Sequence, residues 1–305
     1  MRTIEYDGRQ IRRWDIGPST FLAWPERGAR LINWYITYAD ETVRDVIFWP
    51  ANSNLGETGD IRGGNPILFP FSARTFDQGE IHFWRHAGIR RPMPMHGFVR
   101  TGDFEVTEID EMGFTARFLP GEADREAYPF EYEFVVTYKF RDLSLEVDLQ
   151  LTNRETQPIP WSAGHHFYFC LPWRSGTARS DYQIQHGGEK AWRHAAIGSL
   201  LPDTAFAPVT DFSDPDLVDR IHTDLTRNPV VFGPKDSSED VRLYIGREKM
   251  PPEDCALTTW TESNDAPFYC VEPWMGPPNS PEHKLGLHFV EAGRSETFTV
   301  GIEVT

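Results

Sequence analysis

Apolar and polar residues alternate along much of the chain. In residues 130–140 and 143–152, every second side chain is a large apolar one. This period of two predicts half-buried antiparallel strands, and Arg141-Asp142 between the two runs predicts a hairpin turn. The same alternation predicts further strands in residues 29–40, 45–50 and 296–305.

Long stripes of apolar residues at helical spacing are scarce, whereas the chain has 24 Gly and 24 Pro to mark turns. The pattern therefore predicts an all-β, mostly antiparallel β-sandwich. A loop-rich tract at 202–240 is a candidate domain boundary, but the strands on either side of it look alike. We expect residues 1–305 to form one domain, which at about 300 residues has enough core without disulfides or a metal.

The composition limits the partners. A formal net charge of -16 gives a field that does not attract nucleic acid or anionic lipid. The three cysteines are an odd count without C-x-x-C spacing, which favours a reducing compartment over a disulfide framework. With no secretory signal and no apolar run near the roughly 20 residues of a membrane span, we expect a cytoplasmic protein. We expect a monomer or a homodimer.

Several familiar catalytic motifs are missing from the sequence. It has no phosphate-binding loop of the G-x-x-x-x-G-K-[ST] type, no G-x-G-x-x-G and no G-x-S-x-G. His82 and His86 are four residues apart, but no carboxylate or cysteine set accompanies them. We therefore predict no metal site.

Four segments carry candidate chemistry. Arg74 ends an apolar run that begins at Gly63-Gly64, where it is either a solvated charge or a hydrogen-bonding fork for hydroxyls or phosphate. His96 precedes Gly97, which allows backbone or ligand to approach closely. His165 and His166 are adjacent in a strand-like run, so they point to opposite faces and one of them is expected in the core.

The fourth segment contains a glutamate in apolar company. Glu272 lies between Val271 and Pro273, two residues before Trp274. A carboxylate packed near tryptophan loses solvation, which raises its pKa toward the range of a general base. The alternative is a structural carboxylate that binds loop amides.

Together the segments resemble aldose 1-epimerases, the galactose mutarotases, and related hexose-6-phosphate mutarotases. RGGNPILFPFSAR, MHGF, AGHHFYFCLP and VEPWMGPPNS occur in the order seen in that family, between about residues 60 and 280. The resemblance implies a β-supersandwich with a concave sugar site. It also implies interconversion of α and β anomers without a cofactor, acting on a small-molecule sugar or sugar phosphate.

The resemblance also implies roles for individual residues. Glu272 matches the base that takes the proton of the C1 hydroxyl, and His166 matches the acid that protonates the ring oxygen. His96 matches a second catalytic histidine, and Arg74 an arginine that holds the sugar. His166 is preferred because His-Phe-Tyr-Phe then aligns with His-Pro-Tyr-Phe, although His165 leaves the register open by one residue. For sugar binding we expect His165, Asp219 and Trp274 in addition.

Two other functions stay open at this point. The same scaffold could bind carbohydrate without catalysis. It could also cleave glycosides, which usually requires two carboxylates about 5–9.5 Å apart. A third question is the phosphate: five arginines near the His96 segment could bind one or could form a solvated basic face, namely Arg62, Arg85, Arg90, Arg91 and Arg100.

Overall fold

The computed structural model describes residues 1–204 and 207–305, and about half of the chain is in strands. Within these ranges the strands are β1 (Arg2–Tyr6), β2 (Arg9–Ile16), β3 (Ser19–Trp24), β4 (Arg30–Thr37), β5 (Val43–Ile47), β6 (Ile67–Leu68), β7 (Phe76–Asp77), β8 (Glu80–Ile81), β9 (Phe83–His86), β10 (Ile89–Pro92), β11 (Asp103–Asp110), β12 (Gly113–Leu119), β13 (Tyr132–Arg141), β14 (Ser144–Asn153), β15 (Ile159–Trp161), β16 (Gly164–His165), β17 (Tyr168–Cys170), β18 (Tyr182–Gln185), β19 (Gly188–His194), β20 (Leu200–Asp203), β21 (Val209–Asp211), β22 (Arg220–Leu225), β23 (Val230–Pro234), β24 (Val241–Ile245), β25 (Ala256–Trp260), β26 (Phe268–Trp274), β27 (His288–Val290) and β28 (Ser295–Val304). The helices are short: α1 (Glu122–Ala127), α2 (Ser280–His283) and the 3₁₀ turns Leu55–Glu57, Val99–Thr101, Arg179–Asp181 and Pro215–Leu217.

The alternating runs form the strands that the sequence predicts. β13 and β14 pair antiparallel from Tyr132↔Asn153 to Arg141↔Ser144, so the hairpin turn lies at Asp142-Leu143. Their inward side chains, such as Phe134 and Leu149, are buried, and the intervening positions are more exposed. This is the half-buried antiparallel pairing that a period of two requires.

Two large antiparallel sheets make up the fold among the described residues. The first has the order β1-β2-β3-β4-β5-β17-β26-β25-β22-β19-β20, with β16 bridging β26 and β6. The second has the order β11-β12-β13-β14-β28-β24-β23-β18-β21. The prediction of an all-β sandwich is confirmed.

A core rich in aromatic rings fills the space between the two sheets. Trp14 and Phe21 of the first sheet contact Phe140 of the second, with ring centroids 5.0 and 4.4 Å apart. Large apolar side chains buried on both inner faces bring most of the favourable free energy of folding. The outer face of the first sheet is not part of this core, so it can carry a ligand-binding site.

The loop-rich tract at 202–240 contributes strands to both sheets. β22 belongs to the first sheet, and β21 and β23 belong to the second. Chain that crosses between the sheets in this way does not behave as a linker. All three cysteines are unpaired. No helix among the described residues is long and apolar enough to cross a membrane.

Candidate active site

β26 places Glu272 on the outer face of the first sheet. Its side chains alternate, so Tyr269 and Val271 join the core between the sheets while Glu272 and Trp274 face outward. The outward side chains line a cleft with a volume of about 1190 Å³. On one side β25 pairs with β26 and places Thr258 opposite Glu272; on the other side β17 pairs with β26 at Cys270 and β16 pairs with it at Trp274.

Glu272 is almost completely removed from solvent. It is 2% exposed, and its Oε2 atom has no hydrogen-bond partner among the described residues. Burial raises the pKa of this carboxyl well above its ordinary value, and the negative charge of Asp219 raises it further; the Trp274 side chain acts in the opposite direction. A buried carboxyl group with a raised pKa can exchange protons near neutral pH.

His166 is the member of the doublet that faces the cleft. Its Nε2 atom lies 3.5 Å from Oε2 of Glu272, and its ring stacks on Tyr168 with centroids 4.7 Å apart. Burial lowers the pKa of His166 to about 3, so burial favours the neutral imidazole. The glutamate and the histidine therefore form one buried acid–base pair.

His165 lies on the other face and does not line the cleft. It is fully buried and stacks on Phe167 with centroids 5.1 Å apart. Asn65 donates from Nδ2 to Nδ1 of His165 (3.1 Å), and burial lowers the pKa of this imidazole to about 3. The structure does not bring His165 together with the other candidates, because strand alternation turns it into the core.

His96 reaches the cleft from a tight turn. The backbone N–H of Ala73 donates to Nδ1 of His96 (3.1 Å), so the neutral ring carries its proton on Nε2. Burial lowers the pKa of His96 well below its ordinary value, and the ring meets that of His166 edge-on at 5.3 Å. Gly97 follows with φ +71°, and a Cβ there would lie 1.8 Å from the Phe69 carbonyl oxygen, which explains the His-Gly sequence.

Arg74, Asp219 and Trp274 also line the cleft. Arg74 is exposed and makes no ion pair with the residues that the structure describes. Desolvation raises the pKa of Asp219, and the nearby charge of Arg74 opposes that rise. The Trp274 indole N–H donates to the His165 carbonyl oxygen (3.2 Å), which fixes its ring beside His96.

The five arginines near the His96 segment separate into two groups. Arg62 and Arg100 line the cleft. Arg85, Arg90 and Arg91 lie on the β9–β10 hairpin and do not line it. Arg85 and Arg90 pair with acidic side chains, and Arg91 donates to the Glu126 carbonyl oxygen. Although Arg85, Arg90 and Arg91 are near His96 in the sequence, they do not line the cleft with it.

Sequence reasoning missed Asn65, which connects both histidines of the doublet. Its Oδ1 accepts the backbone N–H of His166 (3.2 Å), while its Nδ2 donates to His165 and to the Tyr138 hydroxyl (2.8 Å). Asn65 is fully buried. A polar residue directly after Gly63-Gly64 in an otherwise apolar run was the available signal.

One group of side chains in the described residues could hold a metal ion. Donor atoms of His166, Cys270 and Glu272 all lie within 4.8 Å of one another, and all three residues are buried. Imidazole, thiolate and carboxylate are the ligands that Zn²⁺ prefers. His82 and His86 are not part of such a group.

A family model identifies the family to which the chain belongs. The model for aldose 1-epimerase matches residues 22–289, which contain all four segments and the Glu272–His166 pair. The chain belongs to the aldose 1-epimerase family. Among curated proteins it is similar to the chromosomal protein LacX of Lactococcus lactis subsp. lactis. The two are 26% identical over 230 residues, which is 70% of this chain and 74% of LacX.

Solved structures agree on the fold of this aldose 1-epimerase family member. A galactose mutarotase related enzyme from Lactobacillus acidophilus superposes with a TM-score of 0.78 at 20% identity, covering 97% of both chains. A galactose mutarotase-like protein from Clostridium acetobutylicum gives 0.78 at 16% identity, covering 100% of this chain and 98% of the other. At these identities the likeness establishes a shared galactose mutarotase-like fold.

Proposed function

We propose that this protein interconverts the α and β anomers of an aldohexose or a related sugar. The observation that carries the proposal is the buried pair of Glu272 and His166, 3.5 Å apart in a cleft of an aldose 1-epimerase family member. The two atoms that exchange protons in this reaction, O1 and the ring oxygen O5, are bonded to the same carbon. An acid and a base this close together can serve both oxygens at once.

In the ring-opening step Glu272 takes the proton from the C1 hydroxyl. His166, as imidazolium, gives its proton to O5 as the C1–O5 bond breaks, and the open-chain aldehyde forms. Rotation about C1–C2 turns the other face of the carbonyl toward the C5 hydroxyl. Glu272 then returns its proton to O1, and His166 accepts the proton of the C5 hydroxyl as the ring closes. Positioned proton transfer of this type contributes typically about 10²–10⁴-fold.

The electrostatics of the pair favour the open-chain stage of this cycle. Burial favours the uncharged forms of both partners, a carboxylic acid and a neutral imidazole. The neutral pair holds the same number of protons as a carboxylate beside an imidazolium, and differs only in which partner holds the shared one. Ring opening therefore converts one form into the other without exchange with solvent. The neutral pair is the form that accompanies the aldehyde.

The remaining cleft residues hold the sugar in this proposal. His96 donates from Nε2, because Ala73 occupies its Nδ1. Arg74 offers a guanidinium fork without an ion pair among the described residues, and Asp219 accepts hydrogen bonds from sugar hydroxyl groups. Trp274 supplies an apolar wall. His165 is left out, because it contacts Asn65 and the core. The scheme uses side chains alone and assigns no role to a cofactor.

Polarimetry tests the proposed function. We expect the protein to accelerate the equilibration of freshly dissolved α-glucose or α-galactose. Glu272→Gln keeps the shape of the side chain and removes the proton acceptor, so it should lower kcat by about 10²-fold or more. Full activity in this variant would remove Glu272 as the base. Sugar binding by calorimetry without faster equilibration would make the protein a binding protein.

A second carboxylate in the cleft makes glycoside cleavage an alternative function that can be tested. Asp219 lines the same cleft, and its charge raises the pKa of Glu272. Two coupled carboxylates are the requirement for glycoside cleavage. Release of nitrophenol from nitrophenyl glycosides would support that reaction, and we expect none. The 3.5 Å separation of His166 and Glu272 supports the mutarotase scheme over this alternative.

A further inference from the structure

The cleft is larger than a single sugar ring requires. Its volume of about 1190 Å³ exceeds the roughly 300–1,000 Å³ of sites that enclose drug-sized ligands. An aldohexose is smaller than such ligands. On β26, Trp274, Glu272 and Phe268 lie on the same face. The cleft therefore continues beyond Glu272 in two directions, toward Trp274 and His96 and toward Phe268.

Four aromatic rings line the end of the cleft that lies toward Phe268. This aromatic end consists of Phe48, Tyr168, Trp260 and Phe268. Phe268 contacts Phe48 and Tyr168 with centroids 5.3 and 4.9 Å apart, and Phe48 and Trp260 are half-buried. None of these rings has a part in the proposed proton transfer. The negative face of an aromatic ring attracts the weakly positive C–H groups on the flat side of a pyranose.

Charges at the aromatic end are balanced. Arg62 forms an ion pair with Glu262, and Arg100 donates to the Gly59 carbonyl oxygen (3.0 Å). Burial lowers the Arg100 pKa, and the nearby charge of Asp60 opposes that lowering. All four charged side chains line the cleft. Two guanidinium groups beside two carboxylates do not favour a dianionic phosphate. These four side chains form a polar rim whose guanidinium groups can donate hydrogen bonds to sugar hydroxyls and whose carboxylates can accept them.

We propose that the aromatic end binds a second pyranose ring, so that the preferred substrate is a reducing disaccharide or a longer oligosaccharide. Its reducing ring lies at Glu272 and the next ring lies against Phe48. This inference rests on the proposed function, because it places the anomeric carbon at the Glu272–His166 pair. It extends that function by naming the substrate class.

The test compares sugars on the full chain. We expect kcat/KM for α-maltose or α-lactose to exceed that for α-glucose by roughly three- to tenfold, the contribution of one good aromatic contact. Phe48→Ala should remove this preference and leave the rate on glucose within about twofold. Phe48→Tyr should retain it. Phe289→Ala is the matched control, since Phe289 is 49% exposed on β27 and outside the cleft.

Three results would overturn the proposal. The first is fast equilibration of glucose without a preference for either disaccharide. The second is a preference that survives in Phe48→Ala, with thermal melts confirming that the variant is folded. The third is faster turnover of glucose 6-phosphate, lost on Arg62→Gln, which would assign the aromatic end to an anion. If no sugar is equilibrated, the proposed function fails separately. Calorimetry of maltose binding to the parent and to Phe48→Ala then tests whether the aromatic end binds a second sugar ring.

Discussion

Replacing Asn65 tests whether one buried amide organises the site. Its side chain contacts both histidines of the doublet and the Tyr138 hydroxyl. Asn65→Leu keeps a similar volume and removes all three hydrogen bonds. The substitution does not change Glu272 or His166 themselves, so a change in rate reports on how these side chains are positioned.

The magnitude follows from the groups left unpaired. The Tyr138 hydroxyl and Nδ1 of His165 lose their donor inside the core, at about 1–3 kcal/mol each. The His166 N–H loses less, because it also donates to the Pro66 carbonyl oxygen (3.1 Å). We expect the free energy of unfolding to fall by about 2–6 kcal/mol. A released imidazole that shifts by about 1 Å can lower the rate about 10²-fold, so kcat should fall as well.

Urea unfolding and polarimetry measure the two effects. The double variant with Tyr138→Phe removes the orphaned hydroxyl. It should therefore be destabilised by about 1 kcal/mol less than the sum of the single variants. A fall of less than 1 kcal/mol in the free energy of unfolding, together with an unchanged kcat, would refute this account of Asn65.

Two further predictions concern protons and metals. The free energy of unfolding should decrease as the pH falls from about 6.5 toward 3, because His165 is neutral in the folded protein, with its pKa lowered to about 3, and protonates in the unfolded chain. His165 should contribute about 1.4 kcal/mol per pH unit to the slope of the unfolding free energy against pH. Urea unfolding of His165→Phe at a series of pH values should show a slope smaller by that amount. An unchanged slope would contradict this prediction. Zn²⁺ or Cd²⁺ should inhibit by binding His166, Cys270 and Glu272, and Cd²⁺ should produce a thiolate absorbance that Cys270→Ala abolishes. Inhibition that persists equally in Cys270→Ala would place the metal elsewhere.

Much of the fold could be predicted from the sequence because alternation directly reports which side chains face the core. β13, β14 and β28 lie where the apolar period of two places them. Glu272 stood out for the same reason, as a carboxylate in an apolar strand. Its neighbours on β26 are all buried.

The sequence could not decide which histidine of the doublet faces the cleft. Alternation requires opposite faces for His165 and His166 but does not say which face meets the second sheet. That choice depends on Asn65, a hundred residues earlier, and on the packing of Phe167. The arginines were ambiguous for a similar reason, since the β9–β10 hairpin carries Arg85 and its neighbours away from the cleft.

The central claim is that Glu272 and His166 act as one unit that shares a proton. The most direct measurement is kcat for Glu272→Gln, His166→Asn and the double variant, by polarimetry at one pH. Each single variant should lose about 10²–10⁴-fold, and the double variant should lose no more than the worse single one, as groups that act together do. Losses that multiply in the double variant, or a single variant with the full parental rate, would contradict the account.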